Sequence, residues 1–271
     1  MLYLLTLSTL LAPAPQAKPA FKTVEIQSLD KLKITADVYA PHADKKTPFI
    51  VLCHQAGWSR GEYREIAPRL NKMGFNCIAI DQRSGRAVNK VANQTTKRAA
   101  AAKKATGFLD AEQDMIATLQ HVRQHHASGK VILWGSSYSS ALALRIAGEK
   151  PKLVDGVLAF APGEYFTRFG KSGDWVSQSA KKIRCPAFIT SAQNEHKNWK
   201  SIYASMRTKS KTMFLPKTKG KHGSSALWMK TPDSKSYWAA VTPFLKQFQK
   251  PGMGSGKKAG SGTKAGSGKR N

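Results

Sequence analysis

Short apolar runs recur between about residues 20 and 250, separated by stretches whose apolar positions have helical spacing. The runs predict strands at 22–27, 33–39, 48–53, 75–80, 130–134, 153–159, 186–191 and 211–215. Helical patterns cover about 60–73, 109–126, 138–149, 174–182, 196–207 and 235–249. The first two strands alternate polar and apolar residues, as a half-exposed antiparallel hairpin does. Later runs such as PFIVLC, FNCIAI and KVILW are almost continuously apolar, as parallel strands covered on both faces are. Strands alternating with helices imply right-handed crossovers. The expected fold class is therefore α/β, with one mostly parallel, eight-stranded, doubly wound sheet and an antiparallel N-terminal hairpin. No internal repeat or second domain interrupts it.

The two ends have different characters. Residues 1–17 (MLYLLTLSTLLAPAPQA) form an apolar run followed by small residues, which reads as a signal peptide, although no Lys or Arg precedes the run. Export to a periplasm or to the outside would follow, and a cytoplasmic location if the segment is not a signal. Residues 251–271 repeat Gly, Ser and Lys without an acid and after Met253 lack any large apolar side chain, which predicts a disordered basic tail. A single domain then spans 18–250. Within it, 82–109 carries Arg83, Arg86, Lys90, Lys97, Arg98, Lys103 and Lys104 and no acid. This stretch reads as a solvated basic flap, in which TTKRAAAAKKA could form a short helix.

Composition narrows the classes further. Lys plus Arg number 44 against 16 for Asp plus Glu, a net +28, and the tail supplies only five of those charges. A 41% hydrophobic content excludes wholesale disorder, and no interior stretch reaches the roughly 18–20 apolar residues that cross a bilayer. The charge favours nonspecific association with anionic surfaces through flap and tail. No nucleic-acid-binding motif accompanies it. Cys53, Cys77 and Cys185 sit in or beside apolar runs and read as small buried hydrophobes.

The passage KVILWGSSYSSALALRIAG carries the most chemistry. An apolar strand ends at Gly135 and a helix begins a few residues on, with Ser137 third in a Gly-x-Ser-x-small pattern. A sharp strand-to-helix turn needs small residues on both sides of the serine, exposes its hydroxyl, and aims helix N-terminal amides at a developing oxyanion. Serine also caps helices routinely, which would explain Ser137 without chemistry.

On these residues the chain resembles the α/β-hydrolase family, in particular its cap-less serine esterase and dienelactone-hydrolase-like branch, over about residues 21–250. Dienelactone hydrolases proper use Cys where this chain has Ser137, and Ser139 stands where Gly is usual. The resemblance implies a nucleophile, acid, histidine order. The histidine would be His222, in the loop after the last strand (KTKGKHGSSALW). The acid would follow the strand of AFITSAQNEH. Asn194 holds the position where the family often has Asp, so Glu195 is the first candidate and Glu164 (FAPGEYF) the second. The oxyanion donors would be the amides of Ala56, in LCHQAGWSRGEY, and Tyr138, with His54 a structural residue of the loop and Gln55 replacing a usual Gly. His121, His125 and His126 end a helix, where cations are comfortable. Trp58, Tyr63, Tyr165, Phe166, Trp175, Trp199 and Trp228 either wall a pocket or pack the core.

The resemblance implies hydrolysis of a small-molecule carboxylic ester or thioester through an acyl-enzyme, without metal or organic cofactor. The alternatives are a serine peptidase on the same fold and an inactive polyanion-binding protein on a hydrolase scaffold.

Overall fold

The computed structural model describes residues 20–249, so the predicted signal segment 1–17 and basic tail 251–271 lie outside the described residues. The chain folds as β1 (Lys22–Gln27), β2 (Lys33–Tyr39), β3 (Phe49–Cys53), α1 (Ile66–Lys72), β4 (Asn76–Ile80), β5 (Ala87–Val88), β6 (Val91–Ala92) and α2 (Gln94–Ala101). It continues with α3 (Glu112–His121), β7 (Val131–Ser136), α4 (Tyr138–Glu149), β8 (Gly156–Phe160), α5 (Trp175–Ala180), β9 (Ala187–Thr190), α6 (His196–Ser205), β10 (Lys211–Phe214) and α7 (Ser234–Lys246).

The expected eight-stranded sheet is present, in the order β1-β2-β4-β3-β7-β8-β9-β10. Only β2 runs against its neighbours, and every other pairing is parallel. The continuous apolar runs have their predicted cause. β3, β4, β8 and β9 are buried at every position because helices cover both faces. One apolar layer joins α3, α4, α5 and α6 to the sheet, and the other joins α1 and α7. Edge strand β10 is exposed at Thr212 and Met213. No described helix is long and apolar enough to cross a membrane.

Two expectations need correcting. The predicted hairpin is half-exposed only in β1, whereas β2 is buried from Ile34 to Tyr39. Thr35 and Asp37 within it find partners from distant segments. Thr35 N donates to Thr95 Oγ1 at 2.9 Å, and Asp37 pairs with Arg60 at 3.1 Å and Arg64 at 3.2 Å.

The second correction concerns 82–109, which is a folded insertion and not a solvated flap. A two-residue hairpin (β5–β6) and α2 lie within it, and α2 covers β2. Three of its cations are consumed by ion pairs. Arg98 meets Glu25, Lys104 meets Asp30, and the buried Arg83 bridges Asp30 at 2.9 Å and Asp114 at 2.7 Å. Arg86, Lys90, Lys97 and Lys103 are the ones left facing solvent. Asp114 also accepts from Ser28 Oγ at 2.6 Å, so one buried cluster ties the β1–β2 turn, the insertion and α3 together.

Breaking a buried ion pair leaves an uncompensated charge and costs about 3–5 kcal/mol. Arg83→Met is therefore expected to lower the melting temperature by roughly 6–20 °C in a domain of this size. Calorimetry checks this, and a fall within about 1 °C would show that the cluster contributes nothing net.

Candidate active site

The turn after β7 has the geometry that the Gly-x-Ser-x-small pattern calls for. Ser137 sits at φ 58°, ψ −124°, a left-handed conformation unfavourable to a residue with a Cβ. Its amide is held by Phe160 O at 2.7 Å, and its hydroxyl makes no capping bond to α4. Helix capping, the ordinary reason for a serine here, therefore does not account for Ser137.

The small neighbours are required by contact. A Cβ on Gly135 would lie 2.3 Å from Ser139 O and 2.4 Å from Ser140 Cα. Ser139, standing where Gly is usual, is accommodated by its hydrogen bonds. Its hydroxyl accepts from Ser136 N at 2.9 Å and lies 2.8 Å from Cys53 O and 2.9 Å from Ser136 O as a donor.

Ser137, Tyr138 and Ala56 line one cleft of about 340 Å³, together with Phe108, Glu164, Tyr165, Thr167 and Arg168. The Ala56 loop is fixed on both sides. Gln55 N donates to Glu62 Oε2 at 2.8 Å, and the buried His54 is clamped between Gln55 and Gln82. His54 Nε2 accepts from Gln82 N at 3.1 Å, so Nδ1 is the donor to Gln55 O at 2.8 Å. Burial holds this ring below the ordinary histidine pKa, which keeps it neutral. Tyr138 is buried, with its ring stacked on Phe108 at 4.5 Å.

The last loop brings a histidine and an acid together. His222 Nδ1 lies 2.5 Å from Glu195 Oε1, and Glu195 Oε2 accepts the Ala192 amide at 3.0 Å. With Nδ1 donating to the carboxylate, Nε2 keeps its lone pair. The loop is pinned to the turn before Ser137, since Ser224 N donates to Ser136 Oγ at 2.8 Å. Gly223, at φ 66°, permits the approach, because a Cβ there would sit 2.4 Å from Gln55 Oε1 and 2.6 Å from Ser136 Oγ.

The other candidates are placed elsewhere. Asn194 is exposed and makes no hydrogen bond to His222. Glu164 lines the serine cleft, but its carboxylate accepts from Val176 N, Ser177 N and Ser177 Oγ, each at 2.8 Å. It thus caps α5. His42 bonds Asn71 O at 2.9 Å and His196 packs edge-on against Trp199. His121 and His126 lie 3.3 Å apart at their Nε2 atoms, and the described residues hold no cluster of three or more metal ligands.

The aromatics divide. Tyr63, Phe166 and Trp199 are core, and Trp175 carries Arg145 on its ring face. Trp58 and Trp228 stack at 5.2 Å and line a second cleft of about 620 Å³ beside residues 218–221. A third, of about 590 Å³, extends from Ala56 and Phe108 toward Arg86 and Thr96 of the insertion. Phe108, Thr167 and Arg168 were not singled out in the sequence. Arg168, whose guanidinium lies 5.3 Å from the Phe108 ring centre, looks there like any other surface cation. The thiols offer no nucleophile. Burial pushes Cys53 and Cys77 well above the usual thiol range and Cys185 up to about 12.

Comparison with known proteins agrees with this architecture. Residues 44–165 match the sequence profile of the family described as serine aminopeptidase, S33. A search of curated proteins finds no match. The fold is similar to that of a dienelactone hydrolase from Anabaena variabilis ATCC 29413, at 14% identity and a TM-score of 0.64, covering 85% of this chain and 98% of that one. An esterase of Pyrococcus furiosus is similar at 18% identity and a TM-score of 0.63, covering 84% and 92%. A monoacylglycerol lipase of Paleococcus ferrophilus follows at 15% identity and a TM-score of 0.56, covering 75% and 96%. The chain thus has the α/β-hydrolase fold and, over residues 44–165, is similar to the S33 family.

Proposed function

We propose that this chain is a serine hydrolase that cleaves carboxylic esters or thioesters through an acyl-enzyme. The observation that carries the reading is the pairing of His222 Nδ1 with Glu195 on a loop pinned beside Ser137, whose uncapped hydroxyl stands on a left-handed turn. His222 Nε2 takes the Ser137 proton as Oγ attacks the ester carbonyl, and the amides of Ala56 and Tyr138 receive the oxyanion. Collapse of the tetrahedral intermediate breaks the ester bond, and the imidazolium returns its proton to the departing alkoxide or thiolate. Water, deprotonated by the same histidine, then releases the acid. Glu195 holds the ring in one tautomer and stabilises its positive charge.

The S33 match gives a peptidase reading a specific footing, whereas the esterase, lipase and dienelactone hydrolase neighbours favour an ester. Purified protein should therefore be assayed on short-chain p-nitrophenyl esters beside aminoacyl anilides. Turnover of the esters alone is the expected result. A fluorophosphonate should label Ser137, as located by peptide mass spectrometry. An adduct on Ser136 or Ser139 alone would sink the assignment.

A further inference from the structure

Glu62 is a wholly buried acid that this acyl-transfer scheme does not use. It lies in the turn between β3 and α1. Its Oε2 accepts the amide of Gln55 at 2.8 Å, the residue before Ala56. Its Oε1 accepts Ser136 Oγ at 2.7 Å, the residue before Ser137. That same Oγ accepts the amide of Ser224 at 2.8 Å, two residues after His222. The Glu62 carbonyl meanwhile accepts Trp228 Nε1 at 2.8 Å, which anchors the far side of the histidine loop. One carboxylate and one hydroxyl thus join the three loops that carry the candidate oxyanion donor, nucleophile and base.

We propose that Glu62 is a positioning residue of the acyl-transfer site, and that its negative charge holds the three loops in register and supports the imidazolium of His222. The proposal rests on the serine-hydrolase reading above.

The electrostatic surroundings are simple. On its own turn, Arg60 is committed to Asp37 and Asp81, and Tyr63 donates to Cys53 O. Cys53 faces it from β3 and Tyr138 from the serine turn. Burial raises these two groups and Tyr63 well above their usual ranges, so all three stay neutral near pH 7. The His222 ring is the cationic influence on its carboxylate. Burial pushes the Glu62 carboxyl up to about 7, against the pull of its Ser136 and Gln55 donors and of His222. Protonation would add a proton to a carboxylate that already receives two, turn the Ser136 hydroxyl away, and remove the negative charge that acts on His222.

The Glu62 carboxylate must then carry its charge in addition to the neutral base that acyl transfer itself requires. The acid limb of log kcat/KM should approach a slope of about two in the wild type and about one in Glu62→Gln. Loss of a hydrogen-bonded charge should lower kcat of Glu62→Gln about 10- to 100-fold, with KM changed less than about threefold. Glu62→Asp restores the charge and should recover part of the slope.

Stability should move the other way. A raised carboxyl pKa penalises the fold as pH climbs from the unfolded to the folded value. The melting temperature of Glu62→Gln relative to wild type should therefore improve from about pH 5 to about pH 8. If Glu62→Gln does not fold, Ser136→Ala cuts the same link and should slow fluorophosphonate labelling of Ser137. A folded Glu62→Gln with wild-type kcat and an unchanged acid limb overturns the proposal, as does Ser136→Ala labelling at the wild-type rate. Turnover that survives Ser137→Ala would instead overturn the acyl-transfer reading itself.

Discussion

Ser137→Ala is expected to reduce ester turnover by about 10⁶-fold, to the level left by binding and the oxyanion amides alone. The residual should be roughly 10³–10⁴ above the uncatalysed reaction, because the Ala56 and Tyr138 amides do not depend on the hydroxyl. His222→Ala should fall by a similar factor, and the double replacement should cost little more, since the two groups act as one unit. Alanine also removes no capping bond, because Ser137 makes none, so the fold should tolerate the change. Single-turnover kinetics and a melting curve on the same preparation check both halves. A Ser137→Ala enzyme within tenfold of wild type would rule the hydroxyl out as nucleophile.

Glu195→Gln is expected to lower kcat by about 10³–10⁴ while changing ground-state binding little. The amide would still bond a ring nitrogen but could not balance the imidazolium charge, and it would favour the wrong tautomer. Glu164→Gln provides the contrast. That carboxylate receives three bonds from the start of α5, so its loss should appear in stability, at about 1 kcal/mol for a weakened cap, more than in turnover. Asn194→Ala should be nearly silent, because the side chain faces solvent. Measured side by side on one ester, a near-normal Glu195→Gln beside a crippled Glu164→Gln would move the acid to the loop after β8.

What the sequence reveals tracks the range of the interactions involved. β3, β4 and β7 are legible because both faces are covered, so the whole run must be apolar and local composition carries the signal. The burial of β2 is not legible. Thr35 and Asp37 look like solvent-facing positions until Thr95 and Arg60, from later segments, are folded against them. The same holds for the insertion. Arg83 reads as one cation among seven, because Asp30 and Asp114 lie 53 and 31 residues away. The β5–β6 hairpin has strands too short to leave a period, although Asn89 and Lys90, both at positive φ, mark its turn.

The candidate site divides in the same way. The Gly135–Ser139 turn is a local motif and can be read directly. The placement of His222 and Glu195 rests on family order, since 27 residues separate them. Glu62 carries no local signal at all. Its partners are Gln55 nearby and Ser136, 74 residues on, and in the sequence it is simply a polar position in a predicted helix.

Under the proposed acyl-transfer function, the backbone at Ser137 makes folding and reactivity oppose each other at one residue. A non-glycine held at φ 58° costs on the order of 1–3 kcal/mol. Glycine would adopt the same angles without that strain and would offset only part of the gain through its greater freedom when unfolded. Any selection for thermal robustness that ignored activity would therefore drift toward glycine at this position. A library screened for heat resistance alone should be depleted of serine where a library screened for turnover keeps it. The ratio of the two frequencies would read out, in living cells, how much stability the Ser137 hydroxyl displaces.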